Sequence, residues 1–311
     1  MGVTIKITPM KRTQLITSAD LTREEVDFLI EEAEAMRDYR GDDLKGKICA
    51  SLFFEPSTRT RLSFESAIHR LGGSVITISD TQSTSLKKGE SLQDTIRVIE
   101  KYADVLVMRH PTGGSAKIAA DETNKPFINA GDGGNDHPTQ SLLEAYAIKR
   151  ELGRLENLKI GFGFDPKHSR TIRGLAQLLS LYKGNEFTFV CPTSLTPEPD
   201  FLKHLEEKRI PFKVRHDLSD YPEFDLFYSN RLQEERFSDH NEFEQLRKEF
   251  TLIKKLVEPN KAIILNPLPR IDEIEPAVDH LPQAAYFRAV EGGVYMRMAL
   301  LKYLVRNYSS G

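Results

Sequence analysis

Three short stretches of this sequence carry side chains whose types and spacing could handle a small anion. The first is Phe53-Phe54-Glu55-Pro56-Ser57-Thr58-Arg59-Thr60-Arg61. Residues 47–54 form an apolar run with strand character. Downstream, Leu62, Phe64, Ile68 and Leu71 recur at helical spacing before Gly72-Gly73 supplies a stop. Ser57 or Thr58 can cap this helix, and the first backbone N–H groups lack intrahelical partners. Such a junction is an anion site by construction. Arg59 and Arg61 are unfavourable beside the positive end of a helix dipole unless an anion sits between them. A capped surface helix with solvated arginines is the bland alternative, and it is weaker directly on a buried strand's carboxyl end.

The second stretch is the strand 104–108, which ends in Arg109-His110-Pro111. The third is the strand 127–130, running through Gly131-Asp132-Gly133-Gly134-Asn135-Asp136 into His137-Pro138-Thr139-Gln140 and a helix from about 141 to 153. Open α/β sheets bind ligands at the carboxyl ends of their strands. A lone His before Pro is ordinarily a turn residue, but Arg59, Arg109 and His137 all fall at strand ends, and that recurrence gives them weight.

The elements needed to position these groups continue through the chain. Residues 18–36 read as a capped helix with Val26, Leu29, Ile30, Ala33 and Met36 on one apolar face, after an irregular start. Gly41 to Lys47 mimics a nucleotide P-loop in spacing, yet Ile48 replaces the metal-binding hydroxyl and the motif precedes a strand, so it reads as a helix-to-strand loop. Residues 74–78 form another strand, and the polar stretch 80–90 reads as a surface loop. A helix 92–102 follows. In the second half, strand 158–165 leads through Pro166-Lys167-His168-Ser169-Arg170 into a helix bearing Ile172, Leu175, Leu178 and Leu179. Gly161-x-Gly163 resembles a dinucleotide fingerprint, but Pro166 occupies the third glycine position. Strands 186–191, 224–228 and 262–265 complete the pattern, with a helix near Leu202. The stretch 229–237 is a charged loop on residue types alone. The prolines of Asn266-Pro267-Leu268-Pro269-Arg270 free its carbonyls from ladder hydrogen bonding to face a ligand.

Length and composition narrow the classes. The 311 residues predict two domains of about 150 residues each. With 43 Lys+Arg against 46 Asp+Glu, the net charge of -3 argues against a nucleic-acid surface. Cys49 and Cys191 sit apart in apolar strands and read as core residues of a reducing compartment. No apolar run is long enough to cross a bilayer, residues 1–12 lack a signal-peptide core, and Lys6 breaks a myristoylation pattern at Gly2. The expected location is the cytoplasm, without membrane or nucleic-acid partners. No metal-spaced His/Cys cluster is present.

The Ser57–Arg61 stretch resembles the carbamoyl-phosphate signature of the transcarbamylases, and His137-Pro138-Thr139-Gln140 matches their second signature. Thr139 in place of Cys, and the absence of a later His-Cys-Leu-Pro segment, favour the aspartate over the ornithine branch. The resemblance extends over essentially the whole chain. It implies two doubly wound parallel-sheet α/β domains joined by bridging helices: 1–150 for carbamoyl phosphate and 151–293 for aspartate, with a final helix 294–305 packing back on the first.

The implied reaction is transfer of a carbamoyl group to the α-amine of aspartate, an early step of pyrimidine synthesis, with no cofactor or metal. By the same resemblance, Ser57, Thr58, Arg59, Thr60 and Arg109 would hold the phosphate. Thr60, Arg109 and His137 would polarise the carbonyl, while Gln140 and the Pro267 and Leu268 carbonyls orient the carbamoyl nitrogen. Arg170, Arg231, Gln233 and Lys88 would hold aspartate. Ser85 and Lys88 would reach a neighbouring subunit's site in a homotrimer, and Glu55 would pair with Arg236 across the domains. A regulatory chain or dihydroorotase as further partner stays open. The chain departs from the family pattern at Pro166, Ser169 and Asn266, and the loop at Ser85 is one residue shorter. Two other readings stand beside this one: a catalytically silent subunit of the same fold, and a nicotinamide-dependent dehydrogenase.

Overall fold

The computed structural model describes residues 12–79, 88–234, 237 and 239–309. The chain divides into two compact units: the described residues through Tyr146 together with those from Glu291 onward, and Ala147–Val290.

The first unit contains β1 (Gln14–Leu15), α1 (Arg23–Ala35), β2 (Ile48–Phe53), α2 (Thr58–Arg70), β3 (Ser74–Ile78), α3 (Leu92–Ile99), β4 (Val105–His110), α4 (Ser115–Asp121) and β5 (Phe127–Asp132). Its five strands are all parallel, in the order β1-β5-β4-β2-β3. From β2 the chain moves to β3 on one side; from β4 it moves to β5 on the other. The β2/β4 pair is therefore the topological switch point, where opposed connections leave a crevice above the strand ends.

The second unit repeats the plan. The helix α5 (Pro138–Leu152) contains the unit boundary and leads into β6 (Lys159–Gly163), α6 (Arg170–Leu179), β7 (Glu186–Val190), α7 (Pro199–Glu207), β8 (Phe212–Arg215), β9 (Leu226–Ser229), α8 (His240–Glu249), α9 (Lys254–Val257) and β10 (Ile263–Leu265). These five strands are also parallel, ordered β10-β9-β6-β7-β8, so the switch point lies between β6 and β9. The chain ends in α10 (Tyr286–Ser309), longer than the helix expected at 294–305.

The inner strands are near-continuously buried, as a sheet covered on both faces requires, while the edge strands β3 and β8 are only partly buried. Cys49 and Cys191 are both buried, and burial pushes each thiol up to about 12. Within the first unit, α10 packs on α1 through the Tyr303 and Phe28 rings, 5.6 Å apart, and on α2 through Arg297, whose guanidinium lies 5.0 Å from the Phe64 ring centre. Burial lowers the pKa of Arg297 to about 10.

Several local expectations change. Leu62 is 52% exposed although Phe64, Ile68 and Leu71 are buried, because the buried face of α2 runs through Phe64 and Leu62 lies two residues away. The chain start is not wholly irregular: Gln14 and Leu15 pair with Phe127 and Ile128. The helix α8 was not anticipated in a charged segment; Phe243 and Phe250 anchor it to the core, and Asp239 caps it by accepting from Asn241 N–H. Residues 41–47 form turns leading into β2, with Leu44 buried, and not a phosphate-binding loop ahead of a helix. Among the described residues, no helix is long and apolar enough to cross a membrane.

Candidate active site

The first switch point gathers the anion-binding candidates. Phe53 of β2 pairs in register with Arg109 of β4, and Phe54 N–H donates to the Arg109 carbonyl at 2.9 Å. The residues that follow β2 therefore rise beside the Arg109 side chain. Ser57 occupies the N-cap position of α2 but makes no capping side-chain hydrogen bond. The expected cap is not used, so the first-turn N–H groups are not consumed by it. Arg59 is exposed and has no ion-pair partner among the described residues; its pKa is lowered, first by desolvation and then by repulsion from Arg109. Thr60 is buried.

Glu55, half-buried, finds its cationic partner locally: it accepts from Arg109 Nε at 2.9 Å. The expected partner, Arg236, lies outside the described residues, as does Ser85. Lys88 is described and exposed.

Strand β5 contributes the imidazole through a turn built on carboxylates. Asp132 accepts from Gly114 N–H, Asn129 and Asn135 amides and Asp136 N–H, at 2.9–3.2 Å. Gly133 turns back to donate to the His110 carbonyl at 2.8 Å. Its φ of +53° and a hypothetical Cβ only 2.5 Å from Gly113 N explain the glycine. Asp136 accepts from Ser18 and from His137 N–H, and burial raises its pKa. His137 is thereby fixed at the start of α5, buried, with Nδ1 3.3 Å from Thr139 Oγ1. Gln140 donates Nε2–H to Glu144 Oε1 at 2.6 Å, which leaves its amide oxygen facing away from that carboxyl.

The second switch point gathers the other candidates. Arg170 is the first residue of α6, behind Ser169, whose hydroxyl caps the helix by accepting from Ile172 N–H at 3.1 Å. The departure at Ser169 is thus a helix cap. Arg231 and Gln233 follow β9, both half-buried. Gln233 donates Nε2–H to the fully buried Asp165 at 3.0 Å, and Asp165 also holds His168 through its ring and backbone N–H. Pro267 and Leu268 follow β10, half-buried.

Gly161 and Gly163 answer the dinucleotide question. A Cβ at Gly161 would lie 2.5 Å from the Phe227 ring, and one at Gly163 2.7 Å from the same ring. These glycines make room for an aromatic neighbour, not for a pyrophosphate.

Reading the residues alone missed the buried carboxylates Asp132, Asp136, Glu144 and Asp165. One was legible: Gln140 and Glu144 stand four apart on a helix, so they share a face. The rest depend on tertiary folding.

With this geometry in place, comparison with known proteins decides the family. The model of the aspartate/ornithine carbamoyltransferase carbamoyl-P binding domain matches residues 13–150, and that of the Asp/Orn binding domain matches 156–304. The chain belongs to this family. It is 46% identical over 299 residues to the aspartate carbamoyltransferase catalytic subunit of Methanocaldococcus jannaschii, covering 94% of this chain and 98% of that one. A solved structure of the M. jannaschii aspartate transcarbamoylase catalytic subunit superposes with a TM-score of 0.92 at 45% identity, covering 96% of this chain and all of that one. The Trypanosoma cruzi aspartate transcarbamoylase in complex with N-(phosphonacetyl)-L-aspartic acid gives 0.88 at 35% identity, covering 94% and 95%.

The Glu55–Arg109 pair generates a prediction for this transcarbamylase fold. Glu55 occupies the Arg109 guanidinium, so a phosphate drawn to Arg109 would have to compete with it. Glu55→Gln should strengthen inorganic phosphate binding by about 1 kcal/mol, roughly fivefold in Kd, because the pair is partly solvated. Arg109→Ala should weaken it. Isothermal titration with phosphate measures both; weaker binding in Glu55→Gln would contradict the competition.

Proposed function

We infer that this chain is an aspartate carbamoyltransferase, transferring the carbamoyl group of carbamoyl phosphate to the α-amine of L-aspartate to give N-carbamoyl-L-aspartate and phosphate. The single observation that carries the reading is Arg59, without an ion-pair partner among the described residues, beside Arg109 and a helix N-terminus that the Ser57 side chain does not cap, at the switch point of a chain from this family. The names of the relatives support aspartate as acceptor. The ligand named in the Trypanosoma structure joins a phosphonate to an aspartate, the chemistry of the two substrates proposed here.

In this reading Ser57, Thr58, Arg59, Thr60 and Arg109 hold the phosphate through backbone N–H, hydroxyl and guanidinium donors. Thr60, Arg109 and His137 donate to the carbonyl oxygen as it becomes an oxyanion, where one donor is worth about 3 kcal/mol. Gln140, with one amide N–H committed to Glu144, offers its carbonyl to the carbamoyl NH₂. The Pro267 and Leu268 carbonyls do the same from their loop. Arg170 and Arg231 pair with the aspartate carboxylates, and Gln233 is oriented for aspartate by Asp165.

The amine lone pair attacks the carbamoyl carbon, the bond from that carbon to the phosphate oxygen breaks, and the amine proton passes to the departing phosphate. No side-chain nucleophile takes part, so positioning and electrostatics supply the acceleration. Ser85 and Lys88 serve the site of a neighbouring subunit in a homotrimer, and Glu55 is shared between Arg109 and Arg236 as the substrates bind. The domains are 1–150 for carbamoyl phosphate and 151–293 for aspartate, and the protein works in the cytoplasm.

Product formation from carbamoyl phosphate is expected with aspartate and not with ornithine. Arg231→Ala should reduce it by about two orders of magnitude, ~3 kcal/mol. Turnover with ornithine alone would overturn the acceptor assignment. For the shared site, mixing Lys88→Ala with Arg59→Ala protein under exchange conditions should restore activity that neither possesses. Mixed oligomers without recovery would refute the assignment of Lys88 to a neighbour.

A further inference from the structure

We propose that Asn266, held in place by Glu273, is a positioning residue that aims the Pro267 carbonyl; this rests on the role given to that carbonyl under Proposed function. Both side chains are buried, at 4% and 2% exposure. Asn266 donates Nδ2–H to Glu273 Oε1 at 2.8 Å, while Glu273 Oε2 accepts from the backbone N–H groups of Ile271 at 2.9 Å and Asp272 at 3.2 Å. No cationic side chain pairs with Glu273 among the described residues.

The chemistry of these partners removes a choice from the asparagine. The Leu268 N–H can only donate, so the Asn266 amide must turn its oxygen toward it and its NH₂ toward Glu273. Its oxygen then faces the other way, where Oδ1 accepts from Leu268 N–H at 2.7 Å. Leu268 stands at a φ of +56°, a left-handed conformation that a leucine adopts only when its surroundings impose it. The bond to Asn266 is one such imposition.

The consequence reaches the preceding peptide. The Pro267–Leu268 bond is trans, the cis bonds lying elsewhere. In a trans peptide the N–H and C=O point in opposite directions within one plane. Fixing the Leu268 N–H on Asn266 therefore fixes the Pro267 carbonyl oxygen on the opposite side. Glu273, Asn266 and the Leu268 N–H form a chain of defined polarity whose far end is an aimed acceptor. An acceptor for the carbamoyl NH₂ must be directional, because an amide-like N–H bond weakens steeply once misaligned.

The test compares Asn266→Ala, Asn266→Asp and the double variant Asn266→Asp, Glu273→Gln with the wild type, measuring kcat, both KM values, their pH dependence and thermal unfolding. Asn266→Ala is expected to lose about tenfold or more in kcat with a raised KM for carbamoyl phosphate, while KM for aspartate stays within about threefold. Asn266→Asp places two carboxylates at hydrogen-bond distance. They cannot both ionise there, so its activity should be poor at mildly alkaline pH and recover as the pH falls and one shared proton restores the donor.

The double variant reverses the polarity of that bond: the amide introduced at position 273 donates, while the carboxylate introduced at position 266 accepts and still receives the Leu268 N–H. It should regain most of the lost kcat without the new pH dependence. A residue that merely stabilised the fold would move the unfolding temperature without producing that acid recovery. A folded Asn266→Ala with wild-type kcat would overturn the proposal, as would a double variant no better than Asn266→Asp at alkaline pH. Should the alanine variant not fold, the two near-isosteric variants decide the question. A wild-type protein inactive with aspartate would instead overturn the functional reading, and this inference with it.

Discussion

The arrangement depends on one unfavourable juxtaposition: Arg59, Arg109 and the positive end of α2 converge above the carboxyl ends of β2 and β4. Each alone is ordinary. Together they repel: Arg59 is solvent-exposed, and desolvation followed by repulsion from Arg109 lowers its pKa. Glu55 offsets Arg109 but leaves Arg59 without a counter-ion among the described residues. The β2/β4 pairing holds this cluster in register, and an anion placed there would relieve the repulsion; in the proposed reaction such groups would stabilise leaving-group charge without reorganising.

A second theme is the use of buried carboxylates to fix neutral groups. Glu144 orients the Gln140 amide, Asp165 that of Gln233, Asp136 the His137 backbone and Glu273 the Asn266 amide. An amide can otherwise flip between donor and acceptor at little cost, and a carboxylate that can only accept removes that freedom. N–H donors on both oxygens of Asp165 and Glu273 make their burial tolerable. The result is a set of polar groups whose direction is settled before any substrate arrives, where positioning is the main source of rate.

The sequence made the strand-turn-helix junctions legible because they combine a change of hydrophobic period with unusual polar residues. The segments 53–61, 104–111 and 127–140 fell where expected, and the doubly wound parallel class that the family resemblance implied is the one observed. What stayed hidden was set by long-range contacts. β1 is too short to carry a pattern, and its pairing with β5 spans more than a hundred residues. The charges of α8 masked the spacing of Phe243, Leu246 and Phe250. Gly161 and Gly163 looked like ligand contacts until the Phe227 ring explained them. The partners of Asp136 and Asp165 are likewise supplied by distant or turned segments, and no local spacing announces them.

The most direct measurement is thermal unfolding of the wild type and Arg59→Ala across a phosphate titration at low and high ionic strength. If Arg59 is held against repulsion, its removal should leave the anion-free protein at least as stable as the wild type, while abolishing most of the stabilisation by phosphate. In the wild type that stabilisation should grow with phosphate as mass action requires and shrink as salt screens it. An Arg59→Ala protein less stable without phosphate, yet stabilised by phosphate as strongly as the wild type, would contradict the central place given to this cluster.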